Sequence, residues 1–151
     1  MTNKYAVAPG ARALRTAAAC AWISGLGFGI PGAYAMWHFH RTGETATVMG
    51  YPTYGKGLFE SRLGLTTSMP LLSAFTAVCA AECAAGWRLW RRERSGGVLA
   101  LALLPVEGAF WLGFSLPFGP GLGVARTMAL IAGWSSLRPP RHSDEHRCRH
   151  P

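Results

Sequence analysis

Four long runs of hydrophobic residues alternate with polar segments along the 151-residue chain. The runs cover about residues 13–37, 69–90, 97–116 and 121–137. Each is close to the length of about 20 apolar residues that an α-helix needs to cross the hydrocarbon core of a bilayer. The last two runs are joined by a four-residue turn, so their helices should be antiparallel neighbours. The pattern predicts an all-α fold: a polytopic membrane protein with one four-transmembrane-helix antiparallel bundle over residues 1–151.

The long connection between the first two runs, residues 38–68, is predicted to be an outer loop. Residues 50–60 are rich in Gly, Pro and aromatic residues, which suit turns at a membrane–water interface. We expect the loop to fold back over the outer ends of the helices, with a short interfacial helix near residues 58–63. The predicted outer aromatic belt is Trp37, Tyr51, Tyr54 and Phe118, and the predicted inner belt is Trp87, Trp90 and Trp134.

Three glycines of the first run, Gly25, Gly29 and Gly32, share one face of a helix because of their spacing. A smooth stripe of this kind lets a second helix approach closely. We therefore interpret it as a packing face rather than as a ligand groove.

Basic residues are concentrated in three polar segments. Eleven flank the runs on one side: Lys4, Arg12, Arg15, Arg88, Arg91, Arg92, Arg94, Arg138, Arg141, Arg147 and Arg149. The loop 38–68 has only three, Arg41, Lys56 and Arg62. The positive-inside rule then predicts a multi-pass protein of the plasma (inner) membrane with both termini, including the tail 138–151, in the cytoplasm. The lipid bilayer is the expected partner. Nucleic acid is not, because the net charge of +8 forms no basic face with interleaved aromatic residues.

Three ionisable residues interrupt the apolar runs and are the candidate site residues. Glu82 and Glu107 lie near the middle of the second and third runs, and Arg126 lies in the fourth. An ionisable group at membrane depth costs about 2.5–3.5 kcal/mol on insertion scales, so it usually faces a partner or a cavity. Helical spacing places Thr76, Cys79, Cys83 and Gly86 on the Glu82 face, and Gly123, Leu130 and Gly133 on the Arg126 face.

The depth of these groups predicts how they pair. With a rise of about 1.5 Å per residue, Arg126 lies about 7–8 Å from the outer end of its own run. On the same basis Glu107 lies about 13–14 Å, and Glu82 about 20 Å, from the outer ends of their runs. Arg126 should therefore pair with Glu107 rather than with Glu82. Glu82, left without a cation nearby, should stay protonated near neutral pH.

Three classes of function are compatible with such a centre. The favoured one is a non-catalytic accessory or assembly subunit, in which the charges clamp the helices and the basic cytoplasmic turns bind anionic lipid or a partner. Besides lipid, the expected partner is another membrane protein or, in a homo-oligomer, a second copy of the chain. The alternatives are a proton-coupled small-molecule carrier acting as an oligomer, and a membrane enzyme on a lipid or quinone with an intramembrane Glu as general acid. A closed, packed centre would favour the first, an aqueous path the second, and a cavity open to one leaflet the third.

No cofactor and no metal site are expected. His38 and His40, two residues apart, point in different directions on either a helix or a strand. The tail offers His142, His146, Cys148 and His150, but nothing in the sequence holds them in place as ligands. Cys79 and Cys83 are interpreted as small buried thiols that fill space.

The plan of four helices with a long loop after the first resembles the DoxX-like small membrane proteins, as does Glu82 followed by Gly86 and a basic turn. This resemblance spans roughly residues 13–137 and implies a subunit with a quinone- or sulfur-related redox function. The whole chain also resembles small four-helix integral membrane proteins of actinobacteria. Leu104-Pro105-Val106-Glu107 is similar to the Pro-x-Glu-Glu segment of bacterial heterodimeric lycopene cyclases, which implies a carboxylate that protonates a polyene, but Gly108 replaces the second carboxylate.

Overall fold

The structure, a computed structural model, describes residues 9–48, 51–52, 54, 57–116 and 118–138. Within these ranges the fold is helical, apart from a short antiparallel pairing of Thr47–Val48 with Tyr51–Pro52. The helices are α1 (Pro9–Thr42), α2 (Leu58–Ser61), α3 (Met69–Trp90), α4 (Arg94–Gly113) and α5 (Gly119–Gly133), followed by a 3-10 helix at Trp134–Ser136. The predicted all-α class is confirmed.

The helix bounds depend on turn geometry as well as on hydrophobicity. α3 has the predicted bounds: it carries Pro70 in its first turn, where a missing N–H is tolerated. Two residues after it ends, Arg92 has a positive φ of 61°, which prevents the helix from continuing. α1 extends beyond the predicted 13–37 at both ends, because backbone hydrogen bonds continue into the polar residues that flank an apolar run. α4 covers Arg94–Gly113 instead of 97–116, and α5 covers Gly119–Gly133 instead of 121–137. α4 ends early because Ser115 has a positive φ of 55°, which does not continue a helix.

The four longer helices pack side by side. α1 lies along both α3 and α5, and α3 lies along α4. α1 and α3 are antiparallel, since Gly25 of α1 faces Cys83 whereas Gly32, farther along α1, faces Phe75. Three of these helices, α1, α3 and α4, are long and apolar enough to cross a membrane.

The glycine stripe of α1 packs against another helix, as predicted, and the structure shows that this helix is α3. A methyl group added at Gly25 would lie 2.8 Å from the carbonyl oxygen of Cys79. A methyl group added at Gly29 would lie 3.0 Å from the Cβ atom of the same cysteine. At Gly32 the nearest atoms are those of the Phe75 ring, at 3.3 Å. The two helices therefore approach so closely that the stripe leaves little or no room for larger side chains.

We expect Gly25→Ala to lower the free energy of unfolding by about 1–3 kcal/mol, because the new methyl group meets the backbone of α3. Gly27 provides the matched control, since nothing lies within 4 Å of a Cβ built there. Gly27→Ala should be neutral or should stabilise α1 by about 0.5–1 kcal/mol through its better helix propensity. Thermal melting of both purified variants in detergent measures the difference. Equal melting temperatures would show that α1 and α3 are not in close contact at Gly25.

α4 and α5 meet through large side chains that fill glycine notches. Trp111 of α4 lies against Gly119 and Gly123 of α5, and Gly97 of α4 leaves room for Trp134 at the other end. These contacts confirm that the two helices are antiparallel neighbours. Between the two notches, α5 carries Arg126.

The segment between α1 and α3 packs onto the ends of the helices. α2 confirms the short helix predicted near residues 58–63. Phe59 of α2 lies against Gly113, where α4 ends, and its ring makes edge contacts with Phe110 and Phe114. A side chain at Gly57 would collide with the Gly113 carbonyl, so the backbone of this segment contacts α4 directly.

Tyr54 corrects the predicted outer aromatic belt. Its side chain is only 4% exposed and packs against Phe75 and Phe114 instead of facing an interface. The hydroxyl donates a 2.8 Å hydrogen bond to the carbonyl of Phe28, in the turn of α1 before Pro31. Burial raises the pKa of Tyr54, which keeps its hydroxyl a donor.

The remaining belt residues with described side chains are partly or largely exposed: Trp37, Phe118, Trp87 and Trp90 strongly so, and Trp134 less. The side chain of Tyr51 lies outside the described part of the chain.

Candidate functional site

The three ionisable residues of the apolar runs come together in the middle of the bundle. Glu82 is supplied by α3, Glu107 by α4 and Arg126 by α5, and we call these three residues the triad. Each is only 2% exposed. The periodicity of each helix turns its charged residue inward, so the three helices are tied together at one level.

The Arg126 guanidinium contacts both carboxyl groups. Its Nη2 donates to Glu107 Oε2 at 2.5 Å, and its Nη1 donates to Glu107 Oε1 at 3.1 Å, so this pair is bidentate. The same Nη1 also donates to Glu82 Oε1 at 2.5 Å. A longer bond of 3.4 Å runs from Nη2 to the backbone carbonyl of Ala100.

The predicted pairing is therefore half right. Arg126 does pair with Glu107, but the prediction that it leaves Glu82 without a cation is wrong. The depth argument failed because it assumed that all helices begin at one level. Glu82 lies thirteen residues after the start of α3 and Arg126 seven after the start of α5. Since the two side chains touch, α3 extends about 9 Å farther than α5 at this end.

Apolar side chains cover the triad on both sides along the bundle axis. On the side of the loop, the buried cluster includes Phe75, Cys79, Phe110 and Phe114. On the side of the α3–α4 turn, a second cluster includes Ala85, Leu89, Ala100 and Leu130. The triad thus lies between two apolar layers, in a medium where charge–charge interactions are strong and an unpaired charge is costly.

α1 contributes a hydroxyl group to the centre. Ser24 is buried next to Glu82, but its oxygen has no partner in hydrogen-bond geometry among the described residues. Neither Ser24 nor the carbonyl of Ala100 was predicted from the sequence as part of the site. Ser24 could have been predicted, because it directly precedes Gly25, the first glycine of the stripe that packs against α3. The carbonyl of Ala100 could not, because every residue has a backbone carbonyl.

Among the grooves lined by described residues, two lie beside α1, and the triad lines neither. One, of about 330 Å³, lies between α1 and α3 beside Gly25, Gly29, Cys79 and Cys83. The other, of about 550 Å³, lies between α1 and α5 and is lined by apolar residues and glycine. With each side chain only 2% exposed, the triad is enclosed by the surrounding helices.

In the described part of the chain, no group of three or more His, Cys, Asp or Glu residues is placed to hold a metal ion. His38 instead forms hydrogen bonds at the end of α1, with the Thr42 hydroxyl and the Glu44 carbonyl. The tail residues His142, His146, Cys148 and His150 lie outside the described residues.

The sequence matches no protein-family model, and neither a curated protein nor a solved structure is significantly similar to it. The resemblances to DoxX-like proteins and to lycopene cyclases therefore stay predictions. The arrangement itself offers an enclosed ion pair, with a second carboxyl group on the same guanidinium.

Proposed function

We propose that this chain is a four-span protein of the plasma (inner) membrane that acts as a non-catalytic accessory or assembly subunit. The observation that carries this proposal is the enclosure of the triad. Glu82, Glu107 and Arg126 are each 2% exposed and line neither groove. A general acid or a transport site has to meet its substrate, whereas a clamp that joins helices does not.

α5 is the fourth proposed span, although it is short. Its 15 residues rise about 22 Å and the 3-10 helix of three residues adds about 6 Å. Their sum approaches the hydrocarbon thickness of about 30 Å. The cost of Arg126 in this span is offset by the two carboxyl groups that it contacts.

The proposed orientation, with both termini cytoplasmic, is supported by basic residues at one end of the bundle. The guanidinium of Arg15, near the start of α1, lies 5.3 Å from the ring centre of Trp90, at the end of α3. The Arg138 amide donates to the Arg92 carbonyl, and the Arg94 amide donates to the Arg138 carbonyl. The start of α1, the α3–α4 turn and Arg138 therefore share one end, as the positive-inside rule requires. Residues before Pro9 and after Arg138 lie outside the described residues.

Reporter fusions test this orientation. Fusions after Arg94 and after Pro151 should both give a cytoplasmic signal, because they follow basic segments. A fusion within residues 50–57 should give a periplasmic signal. If the Pro151 fusion is periplasmic while the Arg94 fusion is cytoplasmic, α5 does not cross the membrane.

The accessory role is tested by native purification. The protein, tagged at its native expression level, is extracted in mild detergent and weighed by native mass spectrometry. We expect a second membrane protein to be recovered with it in fixed stoichiometry. When the tag is moved to that second protein, this chain should be recovered in turn. A chain that is recovered alone, or only with copies of itself, contradicts the accessory role.

One observation favours the proton-coupled carrier as the alternative. Cys79 and Cys83, on either side of Glu82 in α3, line the groove between α1 and α3. The groove therefore lies within one helical turn of Glu82 along α3. Proteoliposomes containing a pH-sensitive dye separate the two functions. The accessory proposal expects no proton flux, whereas flux that Glu82→Gln abolishes would favour the carrier.

A further inference from the structure

We propose that the triad is a binding site for a single proton, which Glu82 carries at neutral pH while Glu107 is the ionised partner of Arg126. The proposed proton site depends on the geometry of the buried centre and not on the accessory role. The sequence also predicted a protonated Glu82, but for a different reason, namely that no cation would be nearby.

The balance of charge in the triad favours one bound proton. Two carboxyl groups face one guanidinium, so the ionised triad would carry one uncompensated negative charge among apolar layers. Two carboxylates that share a buried site do not both ionise readily, because their repulsion adds to the loss of hydration. One bound proton makes the triad neutral.

The neighbouring elements supply no second cation. α1 contributes the neutral hydroxyl of Ser24, and α3 contributes the thiols of Cys79 and Cys83 beside Glu82. α4 contributes Glu107 and the carbonyl of Ala100, and α5 contributes Arg126. Among the described residues around Glu82, Arg126 is thus the single positive charge.

The hydrogen bonds assign the proton to Glu82. Glu107 receives bonds from both Nη1 and Nη2, a bidentate geometry that favours a carboxylate. Glu82 receives one bond, through its Oε1, from the nitrogen that already serves Glu107. This leaves Oε2 of Glu82 as the oxygen that can carry a proton without disturbing the guanidinium contacts.

A bound proton also predicts the effect of alkaline pH. The folded protein holds this proton among apolar layers, whereas an exposed Glu in the unfolded chain is already ionised at neutral pH. Stability should therefore be full at neutral pH and should fall as rising pH removes the proton. Thiol and phenol groups in general also ionise at alkaline pH, so the comparison has to be made with a variant that changes Glu82 alone.

Glu82→Gln is that variant, because an amide closely matches a protonated carboxyl group in shape. Its melting temperature at neutral pH should stay within about 2 °C of the wild type, and its decline at alkaline pH should be clearly smaller. Glu107→Gln removes the ionised partner and should lower the melting temperature by about 5 °C or more. The reverse order would assign the proton to Glu107 and overturn the proposal.

NMR of the Glu carboxyl carbons detects the bound proton directly in the wild-type protein, so the result does not depend on whether a variant folds. The full chain has six Glu residues, so 13C-labelling of the Glu carboxyl carbon gives few resonances in lipid nanodiscs. At neutral pH one resonance should have the shift of a carboxylic acid. It should disappear in Glu82→Gln and persist in Glu44→Gln, which replaces an exposed residue. Six ionised carboxylates in the wild type would overturn the proposal.

Discussion

Arg126→Leu should lower the free energy of unfolding by about 3–5 kcal/mol, the range for breaking a buried ion pair by removing one partner. The guanidinium makes contacts with Glu82, Glu107 and the carbonyl of Ala100, and Leu replaces none of them. The Glu107 carboxylate is left buried without its counter-charge. Thermal and denaturant unfolding of the purified protein in detergent measures the loss. Arg62→Leu, which removes an exposed arginine, is the control and should stay within about 0.5 kcal/mol.

Second-site changes show which carboxyl group bears the charge. Adding Glu107→Leu to Arg126→Leu should recover much of the loss, because it leaves a neutral Glu82 behind. Adding Glu82→Leu should recover less, since Glu107 then has to be protonated in an apolar site. If both double variants show simple additive losses, the three side chains are not coupled and the guanidinium does not bridge them.

Tyr54→Ala should destabilise the protein by about 3–5 kcal/mol, the range for removing a large buried aromatic side chain. Its ring fills the space between Phe75 of α3 and Phe114 at the end of α4, and its hydroxyl reaches the Phe28 carbonyl of α1. The loss should therefore loosen the segment between α1 and α3 as well as the ends of the helices. Melting in detergent, with limited proteolysis of that segment, measures both effects.

Two controls separate packing from hydrogen bonding in this prediction. Tyr54→Phe keeps the ring and should cost about 0.5–1.5 kcal/mol, the net value of a typical hydrogen bond. Trp37→Ala removes a predicted belt residue that is 53% exposed and should cost much less than Tyr54→Ala. Comparable losses for Trp37→Ala and Tyr54→Ala would mean that Tyr54 does not anchor the segment.

The sequence by itself determined the features that depend on spacing along one helix. It predicted the bounds of α3, the packing of the Gly25 stripe and the inward direction of Glu82, Glu107 and Arg126. These inferences hold because helical periodicity fixes which residues share a face, and because charge is costly within an apolar run. The short connection predicted between the last two apolar runs likewise required α5 to run back along α4.

Only the tertiary structure decided how far the helices are shifted along one another. That shift brings Glu82 level with Arg126, although counting residues from the ends of the runs separated them. It also turned Tyr54 from a predicted interfacial residue into a buried anchor. The physical reason is that axial shift and loop placement depend on contacts between residues distant in sequence, such as Gly57 with Gly113 and Tyr54 with Phe28. The periodicity of residues within one helix does not predict contacts of this kind.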